Sequence, residues 1–230
     1  MPIDALLFDK DGTLFDFAAT WGAFGRSTLL RLTDGDEGKA AQLGRSIGFD
    51  FAQNRYEPHS IVIAGTVCEV ADSLLPYVSG YARSELVDLL NMESAKAEQV
   101  QAVPLDAFLQ GLRAAGLKLG VATNDGEAPA EQHLISVGVR AHFDFVAGYD
   151  SGHGFKPGPG QLLAFARHVG IDPSCIAMVG DSRHDLEAGR AAGMVTVGVL
   201  TGVAGPDELE PVADVVLPDI GHIPAWLSSI

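Results

Sequence analysis

The sequence predicts an α/β fold, a parallel sheet with helices on both faces and a helical segment inserted after the first strand. Two observations predict the sheet. Short apolar runs recur along the chain, and helical patterns separate them, the alternation expected of βαβ units. A third observation predicts the insert: from about Phe17 to Val103 helical patterns follow one another with no strongly β-like run.

Taken in order, residues 3–8 (IDALLF) form an apolar run ending in charge, as a buried strand does. The insert follows, with helical patterns near WGAFGRSTLLRL, GKAAQLGRSIGF, TVCEVADSLL and SELVDLLNMESAKAEQV. So long an interval is not a structureless loop in a compact domain. Hinges are placed near Ala18 and near Ala102–Pro104, which makes the core discontinuous, residues 1–17 with 103–230, around an insert at 18–102. The later strands are read at 117–123, 143–148, 175–180 and 194–200, with a weaker one at 213–218. Helices are read in LDAFLQGLRAAG, APAEQHLISVG, GPGQLLAFARHVG and DLEAGRAAG, each closing on the Gly expected just past a helix end.

Composition narrows the class. Hydrophobic residues make up 47% and charged residues 20%, the balance of a folded globular chain. No apolar run has the length of a membrane span, and the first residues lack a basic n-region, so a cytoplasmic location is expected. The net charge of −15 repels nucleic acid and anionic membrane at long range, and excludes both as expected partners. It also repels phosphorylated small molecules, so any anion site must be assembled locally from a cation, a lysine and backbone amides. Cys68 and Cys175 have no metal-ligand spacing and are read as a reduced, buried pair.

Four segments fall at predicted strand ends, where open parallel sheets gather ligands. In LLFDKDGTL, Asp9 and Asp11 are two apart and share a strand face, so their carboxylates converge. Like charges held close call for a cation or a shared proton, and magnesium commonly pairs one or two carboxylates with substrate phosphate. In KLGVATND, the Thr123 hydroxyl and the amides around Asn124 form a phosphate cradle. In GHGFKPGPG, Lys156 supplies a point cation. In MVGDSRHD, Asp181 follows a strand directly, and Asp185 lies one helical turn beyond it. Each segment alone reads equally as a turn, an N-cap, a solvated lysine or a capped helix. Their common placement has no such alternative.

Together these segments resemble the haloacid dehalogenase-like hydrolases, marked by an hhhhDxDGT segment, a strand-ending Thr or Ser, a later Lys and a GDxxxD segment. Here they read LLFDKDGT, GVATN, FKPGP and VGDSRHD. The pattern is similar to the phosphoglycolate phosphatase-like branch. The resemblance implies a Rossmann-like core with a C1 helical cap, and a Mg²⁺-dependent phosphatase acting on a small phosphorylated metabolite, phosphoglycolate-like or a sugar phosphate, as a monomer or homodimer. It implies that Asp9 is the nucleophile and forms an aspartyl-phosphate. Asp11 is then the general acid and base, and Thr123 and Lys156 hold the phosphoryl oxygens. Asp9, the Asp11 carbonyl and Asp181 bind the metal with Asp185 in support. The second acid of the DxD pair sets the sequence apart from the family's dehalogenases, whose halide leaves without a proton.

Within the insert, Trp21, Arg26, Arg45, Arg55 and His59 are the candidates to face a substrate. Trp21 and Arg26 lead because they follow the first hinge, and Arg26 is expected to read a carboxylate or second anionic group. Two other readings keep the same core: a phosphosugar mutase and a non-catalytic binding module.

Overall fold

The computed structural model describes residues 2–230. The chain opens with strand β1 (Ala5–Phe8) and runs through α1 (Phe17–Leu32), α2 (Glu37–Ser46), β2 (Phe49–Asp50), β3 (Arg55–Tyr56), α3 (Ile61–Ala64), α4 (Val67–Leu74) and α5 (Arg83–Ser94). It then alternates: α6 (Leu105–Ala114), β4 (Lys118–Ala122), α7 (Glu127–Ser136), β5 (Phe145–Ala147), α8 (Gly160–Val169), β6 (Ile176–Gly180), α9 (Arg183–Ala192) and β7 (Val195–Val199). The chain closes with α10 (Pro206–Leu209), β8 (Val215–Leu217) and α11 (Ile223–Leu227).

Six strands form one parallel sheet in the order β5-β4-β1-β6-β7-β8, and each coincides with an apolar run read from the sequence. Both faces are covered, which is why these strands read as continuous apolar runs with no polar alternation. Leu6 and Phe8 point to the face packed by Leu105, Leu109 and Leu112 of α6 and by Ile223 of α11. Ala5 and Leu7 point to the other, packed by Leu162 and Phe165 of α8 and Ala188 of α9. Each fully buried Leu or Phe contributes about 1.5–3 kcal/mol. The helices α6, α7, α8 and α9 are each followed by a glycine at positive φ (Gly116, Gly138, Gly170 and Gly193), as the sequence required. The strand order reverses about β1, which opens a crevice at its C-terminal edge.

Helices α1–α5 lie between β1 and α6 and gather around a second core, including Trp21, Leu29, Leu43, Phe49, Leu74, Leu86 and Leu90. Asp16 caps α1 through the Ala19 amide at 2.8 Å, and Thr66 with Glu69 forms a capping box on α4. One expectation is corrected here. The insert is not purely helical: β2 and β3 form a short antiparallel hairpin that pairs Phe49 with Tyr56. It docks tightly on α1, where a Cβ at Gly25 would lie 2.5 Å from the Tyr56 hydroxyl. The two segments joining insert to sheet run beside each other, tied by Asp16 N to Val100 O at 2.8 Å and Ala102 N to Leu14 O at 3.0 Å. Cys68 and Cys175 are free thiols, but both are half-buried, not buried as expected. Cys68 sits on α4, its Sγ 3.8 Å from the Tyr149 hydroxyl, and Cys175 ends a short turn before β6.

Candidate active site

The C-terminal edge of the sheet concentrates charge that the rest of the core excludes. Asp9 follows β1 directly, and its amide donates to the Val179 carbonyl at 2.8 Å, which continues the strand pairing by one residue. Lys156 reaches it from the loop before α8 and is 3% exposed. Its Nζ donates to Asp9 Oδ1 at 2.7 Å and to Asp185 Oδ1 at 2.6 Å. The other oxygen of Asp185 accepts from the Ser182 amide at 3.0 Å and hydroxyl at 2.7 Å, in a capping box that starts α9. Asp181 completes the group, and its carboxylate accepts from the Thr13 hydroxyl at 3.4 Å.

Asp9, Asp181 and Asp185 each offer an oxygen within 4.8 Å of the others. All three are buried, and Lys156 is the cation in contact with two of them. Burial pushes the Asp9 carboxyl up to about 7; Lys156 opposes the rise, and Asp185 and Asp11 add to it. Burial, with Asp185 and Asp9, likewise lifts Asp181 well above the ordinary carboxylate range. Burial works against the Lys156 ammonium, yet Asp185 and Asp9 outweigh it and raise its pKa. Crowded carboxylates with one ammonium among them are a donor set for a hard divalent cation. Backbone lies close around it: a Cβ at Gly202 would fall 1.7 Å from Asp181 Oδ2, and one at Gly12 2.3 Å. These residues fit Mg²⁺.

Thr123, 2% exposed at the end of β4, faces the same space. Its Oγ1 accepts from the Asp125 amide at 3.0 Å, which leaves the hydroxyl hydrogen to donate toward a ligand. Asn124 lines the cavity, but its amide is already engaged. It donates to the carbonyls of Ala64 at 2.7 Å and Lys156 at 2.9 Å, and accepts from the Lys156 amide at 2.9 Å. The Asn124 side chain therefore braces the Lys156 loop against α3, and the residue still lines the cavity.

Asp11 also faces the cavity, but its surroundings differ from those read from strand alternation. β1 ends at Phe8, and a turn follows in which the amides of Leu14 and Phe15 both donate to the Lys10 carbonyl. The two acids consequently meet different lysines. Lys10 is fully buried and donates to the Asp11 carboxylate at 2.7 Å; it also lies 3.3 Å from Asp125 Oδ2 and 3.1 Å from His133 Nδ1. Trp21 donates from Nε1 to Asp11 Oδ1 at 2.8 Å, and Lys10 Nζ sits 5.3 Å from the Trp21 ring centroid. His133 Nε2 pairs with the Ser94 carbonyl at 2.8 Å. Burial and Lys10 hold His133 below its ordinary pKa, in the neutral form that accepts from Lys10 at Nδ1 and donates from Nε2.

This second cluster escaped the sequence reading. The signal was a lysine between two acids at the end of an apolar strand, where solvent cannot satisfy it. Of the insert's candidates, Trp21 reaches the cavity. Arg26, Arg45, Arg55 and His59 do not line it. Arg26 stacks on Phe51 at 4.0 Å and donates to the Phe51 carbonyl and to Glu37. Five residues on a helix turn it about 140° away from Trp21. Nearness in sequence to the first hinge did not put it on the same face.

Comparison with known proteins agrees with this geometry. The family model for haloacid dehalogenase-like hydrolases matches residues 3–193. The phosphoglycolate phosphatase of Neisseria meningitidis is 39% identical over 121 residues, covering 52% of this chain and 51% of its own. That of Escherichia coli is 34% identical over 121 residues, 49% of this chain and 48% of its own. The chain thus spans about half the length of the curated relatives it matches. Among solved structures, CbbY from Rhodobacter sphaeroides in complex with phosphate superposes with a TM-score of 0.72 over 96% of each chain at 18% identity, a likeness of fold. The match across most of the chain, on a sheet that carries its acids and lysine at one edge, makes this protein a member of the haloacid dehalogenase-like hydrolase family.

Proposed function

We propose that the protein is a Mg²⁺-dependent phosphatase that releases phosphate from a small phosphorylated metabolite through an aspartyl-phosphate on Asp9. The observation that carries the reading is Lys156 Nζ bridging Asp9 and Asp185 beside Asp181, with Thr123 lining the same cavity. Asp9, the Asp11 carbonyl and Asp181 would hold the ion, with Asp185 in support. When bound, it supplies positive charge to the phosphoryl oxygens and restores Asp9 to its ionised form.

Asp9 Oδ attacks phosphorus as the bond from phosphorus to the leaving oxygen breaks, and Asp11 gives that oxygen its proton. Water then attacks the phosphoryl phosphorus, Asp11 takes the water proton, and the Asp9–phosphorus bond breaks to release phosphate. Thr123 and Lys156 donate to the equatorial oxygens in both displacements. Residues 18–102 act as a cap that closes over the sheet edge and excludes water, with hinges where the two joining segments pair.

The test is phosphate release from a panel of phosphate monoesters with Mg²⁺, with EDTA, and with Asp9→Asn beside wild type. Metal-dependent release that Asp9→Asn abolishes is expected. Undiminished release by Asp9→Asn would remove the aspartyl-phosphate from the mechanism. Transfer of the phosphoryl group back to product without net release would move the assignment to a mutase.

A further inference from the structure

The cavity beneath the insert is charged at one end only. Its ionisable lining residues other than Tyr56 are Asp9, Asp11, Asp125, Lys156, His184 and Asp185, all contributed by the sheet edge. From the insert come apolar side chains, among them Phe24, Leu29, Val62, Val70, Leu74 and Leu90, and no charged residue. The insert does carry basic residues, but they turn outward: Arg26 pairs with Glu37, Arg31 with Glu93, Lys39 with Asp36, and Arg83 with Asp72. None lines the cavity, whose volume is about 110 Å³.

Three polar side chains interrupt this wall: Thr28, Tyr56 and Ser94. Thr28 lies on α1 one helical face with Trp21, is 6% exposed, and its Oγ1 has no hydrogen-bond partner among the described residues. A buried hydroxyl left unpaired costs about 1–3 kcal/mol, and a ligand oxygen at that depth would relieve it.

We infer that the substrate is a phosphate monoester with an uncharged, predominantly apolar leaving group that carries a hydroxyl or ether oxygen for Thr28. This deepens the phosphatase reading and rests on it. A leaving group with its own carboxylate, such as that of phosphoglycolate, would put a second negative charge against an apolar wall without a counterion and near the Asp11 and Asp125 carboxylates. A sugar would bring a ring of hydroxyls to a wall whose polar side chains are Thr28, Tyr56 and Ser94, the last already donating to Asp125.

The test uses a matched set of esters: n-hexyl phosphate, ω-hydroxyalkyl phosphates of three to six carbons, and 6-phosphooxyhexanoate, with phosphoglycolate and glucose 6-phosphate alongside. With Mg²⁺, kcat/KM is expected to be at least about tenfold higher for the alkyl and hydroxyalkyl esters than for any carboxylated or sugar ester. In Thr28→Val, an isosteric change, the KM of the best hydroxyalkyl ester should rise about fivefold or more and that of n-hexyl phosphate should hold. A carboxylated or sugar ester as the best substrate overturns the inference and leaves the phosphatase reading standing. An unchanged KM for every hydroxyalkyl ester removes Thr28 from it. Release from none of the esters would defeat the phosphatase reading itself and the inference with it.

Discussion

At the scale of single residues, Lys10 governs the surroundings of Asp11. It is fully buried, and three side chains converge on its ammonium: Asp11, Asp125 and His133. Burial lifts the Asp125 carboxyl above its ordinary pKa even though Lys10 opposes the rise, so removing Lys10 would leave an acid poorly solvated and unpaired. Lys10→Met, which keeps the bulk and deletes the charge, is expected to lower stability by about 3 kcal/mol, read from urea unfolding. A loss under about 0.5 kcal/mol would mean the two acids find other partners. Asp9, Asp181 and Asp185, the buried acidic cluster, were legible in the sequence because each directly follows or opens an element that periodicity defines. Lys10 and Thr28 were not, because their meaning lies in partners more than a hundred residues away or in a partner that is missing.

Among the elements, β4 and β5 are joined at the edge of the sheet by a side chain. Asp144 accepts from the Leu119 amide at 3.0 Å, pairs with Arg113 of α6, and lies 3.5 Å from Lys118 Nζ. Burial opposes its ionisation, but the Leu119 amide and Arg113 outweigh that and hold its pKa below the ordinary 3.8. A depressed carboxylate contributes stability that is fully present above 3.8 and is lost as pH falls through its folded value. Wild type should therefore exceed Asp144→Asn by about 1 kcal/mol at neutral pH, with the gap shrinking below pH 3.8. A gap that does not change with pH would show that the contribution is packing alone. The elements of the sheet were legible for a related reason: strands buried on both faces leave unbroken apolar runs. β2 and β3 left none, since two residues each, one of them Asp or Arg, give no period to read.

Across the whole molecule, a net charge of −15 surrounds the site proposed to take a phosphate monoester. Encounter between like charges is slowed at low salt and recovers as screening grows. With Mg²⁺ saturating, kcat/KM for a phosphate monoester should rise severalfold between about 10 and 150 mM NaCl. A fall over that range would point to local steering by the Lys156 end of the cavity. No helix among the described residues is long and apolar enough to cross a membrane. The separation into two cores was legible as a change of rhythm near Phe17 and Val103. The direction in which the insert's side chains face was not, because helical phase relative to the sheet is a tertiary property. That phase has a spectroscopic consequence. The chain has two tryptophans; Trp226 packs against the sheet core, while Trp21 alone touches Asp11 and the cavity. Trp226→Phe would leave one indole as an intrinsic fluorophore at the site, so that ligand entry, and the proposed closure of the insert, can be followed in its emission without any label.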